Sequence, residues 1–169
     1  MDGTAGSIDG KNAFLARVSV KADNTLYSYI SVVPTLGGSE KTVYPGPGTG
    51  YAITSIATSN YTNSLLFTVD GTYGQNADTS QDGLWKMNID GTGVTHLFTT
   101  NNQAILNTRT RTSWSNVSRD GSMYAIETYK YNNNNNSIQE QNIFYGLLSN
   151  GKTYMVPSSG FASVIGWTI

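Results

Sequence analysis

The chain has 169 residues, 10 Lys and Arg against 11 Asp and Glu, one His, no Cys and a formal net charge of −1. That length suits one ordinary domain and not two. The balanced charge excludes a basic nucleic-acid-binding surface, and equally an acidic tail, as the main design. Charged residues make up only 12% of the chain, so solubility rests on 21 Thr, 18 Ser and 17 Asn. Thr and the 11 Tyr favour strands, whereas Asn, Ser and the 18 Gly favour turns. Helix formers are too sparse for a bundle, and the expected class is all-β. The missing cysteines exclude a disulfide scaffold and thiolate metal sites. No apolar run approaches the roughly 18 residues of a membrane span. Met1–Gly6 lacks the basic and apolar parts of a secretory signal, so Met1 is expected to be an expression start on a domain cut from a larger or secreted precursor. The composition favours an extracellular or periplasmic compartment.

In chain order, Ser7-Ile8-Asp9-Gly10 reads as a tight turn leading into a strand from Lys11. Leu26–Val33 follows as a strand, then the Gly37-Gly38 turn and the strand Lys41–Tyr44. Ser59–Asn63 is a weaker turn before Ser64–Thr68, and the long piece Asp70–Asp82 separates it from the strand Gly83–Ile89. Asp90-Gly91-Thr92-Gly93 turns that strand back into Val94–Phe98. Ser118-Arg119-Asp120-Gly121 repeats the first turn, followed by Met123–Glu127, Ile143–Leu148, the Asn150-Gly151 turn and Lys152–Val156. The order strand, tight turn, strand, longer connection, strand, Gly turn, strand thus recurs three times, which predicts a repeat architecture.

Leu84-Trp85-Lys86-Met87-Asn88-Ile89-Asp90-Gly91-Thr92-Gly93-Val94-Thr95-His96-Leu97 resembles the blade signature of TolB-like β-propellers, and Trp114-Ser115 through Ser118-Arg119-Asp120-Gly121 resembles the other half of that blade. The resemblance implies β-propeller blades of four antiparallel strands, three blades per chain. Blade 1 is expected over 11–45, closed by the tail strand 162–169, blade 2 over 51–100 and blade 3 over 110–157. The head starts inside a turn, with no innermost strand expected before it, and the tail Ala162–Ile169 reads as an innermost strand. Three blades are too few to close on themselves. A second copy is therefore expected to complete a six-bladed ring, with Phe14, Val164, Ile165 and Trp167 at the assembly seam.

Catalytic groups are scarce. His96, the one imidazole, alternates to the outward face of an outer strand and is expected to be a solvated or edge-strand side chain. No His triad or His metal cluster can be assembled from it, and no cofactor or metal is expected. Asp70, Asp78 and Asp82 share one loop without the spacing of a calcium loop. Trp85, Trp114 and Trp167 recur at equivalent positions and are assigned to packing between blades. Antiparallel meandering should place the long pieces Asp70–Asp82, Asn101–Thr112 and Tyr131–Glu140 on one face. Tyr51, Tyr73, Arg109, Arg111, Tyr129 and Tyr131 are the candidate ligand anchors there, since Tyr and Arg favour binding surfaces; the alternative is that Tyr51 and Tyr129 are strand-end packing and that Arg109 and Arg111 merely solubilise the face. The expectation is a non-enzymatic scaffold that assembles head to tail and binds a protein or glycan, with no nucleic-acid partner. The alternatives are a carbohydrate-active enzyme using loop carboxylates and a purely structural assembly unit.

Overall fold

In a computed structural model, the described residues form three four-stranded sheets with every neighbouring pair antiparallel. The structure describes residues 3–58, 63–71, 80–99, 105–106, 117–118, 120–131 and 137–156. The first sheet is β1 (Gly3–Gly6), β2 (Asn12–Val20), β3 (Leu26–Pro34) and β4 (Lys41–Tyr44), in that order. The second is β5 (Ala52–Thr58), β6 (Ser64–Asp70), β7 (Gly83–Asn88) and β8 (Thr95–Thr99). The third is β9 (Ile105–Leu106), β10 (Met123–Tyr131), β11 (Ile138–Leu147) and β12 (Thr153–Val156). This all-β, propeller-like arrangement is the one anticipated from the repeat.

Two expectations about the inner strands are corrected. The head does carry an inner strand: β1 pairs with β2 from Gly3↔Ala16 to Gly6↔Ala13. Its four residues, Gly-Thr-Ala-Gly, are too short and too small to show an apolar alternation, so the pattern passes over them. The edge reserved for the tail strand 162–169 is therefore occupied along Ala13–Ala16, and residues 162–169 lie outside the described residues. In the third sheet the inner strand begins at Ile105, ahead of the expected boundary at 110, with Ile105 facing Tyr129 and Leu106 facing Thr128. Val117 adds a bridge to Tyr124. The expected long pieces Asn101–Thr112 and Tyr131–Glu140 thus contain strand residues at 105–106, 131 and 138–140.

The second sheet lies between the other two, and β6 shows it most clearly. Ser64 through Val69 are all buried. On one face Leu65, Phe67 and Val69 meet Phe14, Ala16 and Ile30 of the first sheet. On the other, Leu66 joins Leu84 and Leu97 against Val117, Tyr124 and Ile126 of the third. A strand covered on both faces needs a continuous apolar run, which Leu65-Leu66-Phe67-Thr68-Val69 supplies. Phe14 is 1% exposed in the first of these cores. It packs between the first two sheets, and its backbone partners are Ala5 and Val32 rather than a tail strand.

The turns share one device. A side-chain oxygen of Asp or Asn accepts the backbone N–H two residues on, at Asp9–Lys11 (3.0 Å), Asp23–Thr25 (2.9 Å), Asp90–Thr92 (2.9 Å), Asp120–Ser122 (3.1 Å) and Asn150–Lys152 (2.9 Å). The two Ser-x-Asp-Gly turns are near copies. The Ser7 and Ser118 hydroxyls each donate to their aspartate at 2.6 Å and accept the N–H of Asn12 or Met123 at 2.9 Å. Gly10 and Gly121 sit at φ 68° and 70°, where a side chain would be strained. At the β7–β8 turn, Gly91 (φ 90°) packs against the first sheet so closely that a Cβ would overlap the Val43 carbonyl oxygen.

These hydrogen bonds lower the aspartate pKa values. The Ser118 hydroxyl, followed by the Ser122 N–H and hydroxyl, brings Asp120 down from 3.8 to about 2. Because the folded value lies below the unfolded one, the stabilisation is complete above about pH 4 and is lost as pH falls through the folded value. Asp120→Asn should therefore flatten the acid limb of thermal melts between about pH 4 and pH 2, and an unaltered limb would assign the acid sensitivity elsewhere. Phe67→Ala, emptying the core between the first two sheets, should cost about 3–5 kcal/mol in urea unfolding.

Candidate functional site

The long β6–β7 connection is fastened at both ends. Leaving β6, Gly71 donates its N–H to Asp82 Oδ1 at 2.6 Å, and Asp82 is 8% exposed. Charge-assisted hydrogen bonds from backbone N–H groups are among the stronger protein contacts. Entering β7, the Trp85 indole Nε1–H donates to the Gln81 carbonyl at 2.9 Å. His96 Nε2 lies 3.1 Å from the Asp82 carbonyl. A carbonyl can only accept, so Nε2 carries the proton and donates. Tyr51 OH and Ser80 Oγ are 3.2 Å apart.

Strand pairing sets up this base. Phe67 faces Trp85, and a bulge between Leu84 and Trp85 brings Trp85 opposite His96. The Trp85 and His96 rings stack at 4.2 Å between centroids, only 6° from parallel. Phe67 lies 6.3 Å from Trp85 and 5.2 Å from Tyr44, so an aromatic row runs across the second sheet to the first. His96 thus lies on the edge strand β8, one of the two places expected for it, but is half-buried in a stack rather than fully solvated. Strict alternation does place it outward; the bulge moves it.

Tyr51 is 7% exposed, its carbonyl accepts from the Ser28 hydroxyl at 3.1 Å, and its phenol reaches Ser80. It acts as a buried anchor of the loop base. Tyr129 and Tyr131 close β10, Tyr129 opposite Gln141 and Tyr131 opposite Ile138 beyond a register shift. β6 and β10 are each the second strand of their sheet, so the β6–β7 and β10–β11 connections leave from equivalent ends. Tyr73, Arg109 and Arg111 lie outside the described residues, as do Asp78, Trp114, residues 132–136 and the seam residues Val164, Ile165 and Trp167. Asp70 ends β6 opposite Ala52. Among the described residues, no three His, Cys, Asp or Glu side chains converge. Alternation along the strands pointed to neither the His96–Trp85 stack nor the Asp82 clamp. Trp85 and His96 in register across a Gly turn was the available signal.

Asp82→Ala removes the acceptor of the Gly71 N–H. Leaving a buried donor unpaired should cost about 1–3 kcal/mol and should speed amide hydrogen exchange at Gly71 selectively. Exchange that stays as slow as in the parent would show that this clamp does not hold the loop.

No protein family's sequence profile matches the chain, and no curated protein matches it by sequence. Its fold is similar to that of a solved oligogalacturonate lyase in complex with manganese, with a TM-score of 0.59 and 11% sequence identity over 90% of this chain. The chain spans 40% of that protein's length. At that identity the likeness is one of fold: an all-β, propeller-like stack of antiparallel sheets.

Proposed function

We propose that this chain is a propeller-like binding module that presents its long-connection rim to a protein or glycan and does so without a catalytic centre of its own. The observation that carries this reading is the fastened base of the β6–β7 connection. Asp82, Trp85, His96 and Tyr51 hold its two ends on buried or stacked side chains. Rigid support beneath a variable loop is how scaffolds present recognition surfaces, because ordering the loop in advance lowers the entropy cost of binding.

The proposal extends to assembly as a six-bladed homodimer with three blades per copy. On the first sheet, the face turned away from the second bears Leu15, Tyr27 and Tyr29, with the two tyrosine rings stacked at 6.1 Å. On the third, the corresponding face bears Tyr145 stacked on Tyr154 at 5.2 Å. Tyr154 is 43% exposed. Both faces repeat the aromatic character that joins the first two sheets, so a second copy would continue the same stacking. With β1 in place, such closure joins sheet face to sheet face rather than adding a tail strand to β2.

A glycan array alongside a polysaccharide-degradation panel tests the module. Retention of ligand without turnover is expected, with binding weakened by Trp85→Ala; release of any product would overturn the non-enzymatic reading. Light scattering tests the assembly, since a folded 18.2 kDa monomer would refute the dimer.

A further inference from the structure

The outer turns of the second and third sheets are each built into the sheet before them. At the β7–β8 turn, Ile89 packs against the core shared by the first two sheets. Gly91 (φ 90°) lies so close to β4 that a Cβ would overlap the Val43 carbonyl oxygen. At the β11–β12 turn, Leu148 is 5% exposed in the core between the second and third sheets. A Cβ on Gly151 (φ 66°) would lie 3.3 Å from the Leu97 carbonyl oxygen of β8. Lys86 of the second sheet adds a hydrogen bond from Nζ to the Leu148 carbonyl at 3.4 Å. One apolar residue and one left-handed glycine thus form a wedge, and the outer strand of the preceding sheet is its seat.

Each end of the stack keeps one half of this joint. The β3–β4 turn has a wedge, Leu36 followed by Gly37 (φ 98°), but the first sheet has no preceding sheet among the described residues. Leu36 is 98% exposed, and beyond its chain neighbours nothing lies within 4 Å of where a Gly37 Cβ would be. A lone exposed leucine says little; this one belongs to the turn whose counterparts bury Ile89 and Leu148. The free seat is on β12. Ser31, Trp85 and Phe144 stand opposite Leu15, Phe67 and Ile126, and their outer partners are Thr42, His96 and Met155. One residue on, Val43, Leu97 and Val156 are therefore equivalents. Val156 is 37% exposed, and Tyr154, two residues back on the same face, is 43% exposed.

We propose that the Leu36-Gly37 turn of one copy seats on Val156 and Tyr154 of β12 in a second copy. The inference rests on the homodimer proposed above and names the contact that closes it. The occupant follows from continuity: this joint links each sheet to the next within the chain, and a second copy brings the missing half to both ends. Wedge and seat are different surfaces, so the contact runs head to tail and occurs twice in a two-fold ring. It also covers an apolar outer strand that would otherwise invite indiscriminate pairing.

Sedimentation velocity over a concentration series tests the joint on the intact parent, on Leu36→Asp, on Val156→Lys, and on an equal mixture of the two variants. Each variant alone carries two damaged seams, so its dimer dissociation constant should rise about a hundredfold, or about tenfold per seam. In the mixture one seam is parental, and in the other the two introduced charges meet with opposite sign. Dimer should therefore return to within about tenfold of the parent. Leu36 lies at the surface, so Leu36→Asp decides the matter even if Val156→Lys disturbs folding. A monomeric parent would overturn the homodimer and this inference with it. A parent dimer that survives Leu36→Asp unweakened, or folded variants that stay apart when mixed, would overturn the joint alone.

Discussion

The two-sided burial of β6 is the constraint on which the rest of the structure depends. Leu65, Phe67 and Val69 point one way and Leu66 the other. One five-residue run therefore supplies apolar contacts to both cores. Alternation in a strand normally divides core from solvent; here it divides one neighbouring sheet from the other. The fully buried Thr68 is accommodated because its hydroxyl lies 2.8 Å from that of Thr54 and 2.9 Å from that of Ser55. A polar group at the centre of the stack is thus satisfied within its own sheet, next to the bulge in β5.

Much of this architecture was legible in the sequence, for identifiable reasons. The Ser-x-Asp-Gly turns at 7–10 and 118–121 are nearly self-contained, closing their hydrogen bonds within six residues, so their chemistry is written locally. The strands following them are long and alternate, and the pattern placed β3, β4, β7 and β12 to within about a residue or two. The inner strands of the first and third sheets were not legible. β1 is built from Gly, Thr and Ala, and β9 has only two residues, so tertiary pairing rather than pattern creates them.

The site was less legible than the fold, because its contacts arise from register. Tyr51 read either as a surface anchor or as strand-end packing from its place beside a loop, and its ring lies in the core. The edge-strand place of His96 was legible, but the bulge that sets it opposite Trp85 and the ring stack there were not. A likeness to a lyase at 11% identity does not alter these local facts, since sites are grafted onto folds rather than dictated by them.

The contact of Gly91 with Val43 has a mechanical meaning. The first two sheets touch at their inner strands through Thr58 and Gly6, across the middle through Phe67 and its neighbours, and at the outer edge where Gly91 meets the Val43 carbonyl. On the other rim, Ser28 donates to the Tyr51 carbonyl and accepts the Ile53 N–H. A hinge needs a single line of contact about which to turn, and four joints spread over radius and height leave no such line. The two sheets therefore move as one plate, and any opening between them must come from side chains and turns at the rims.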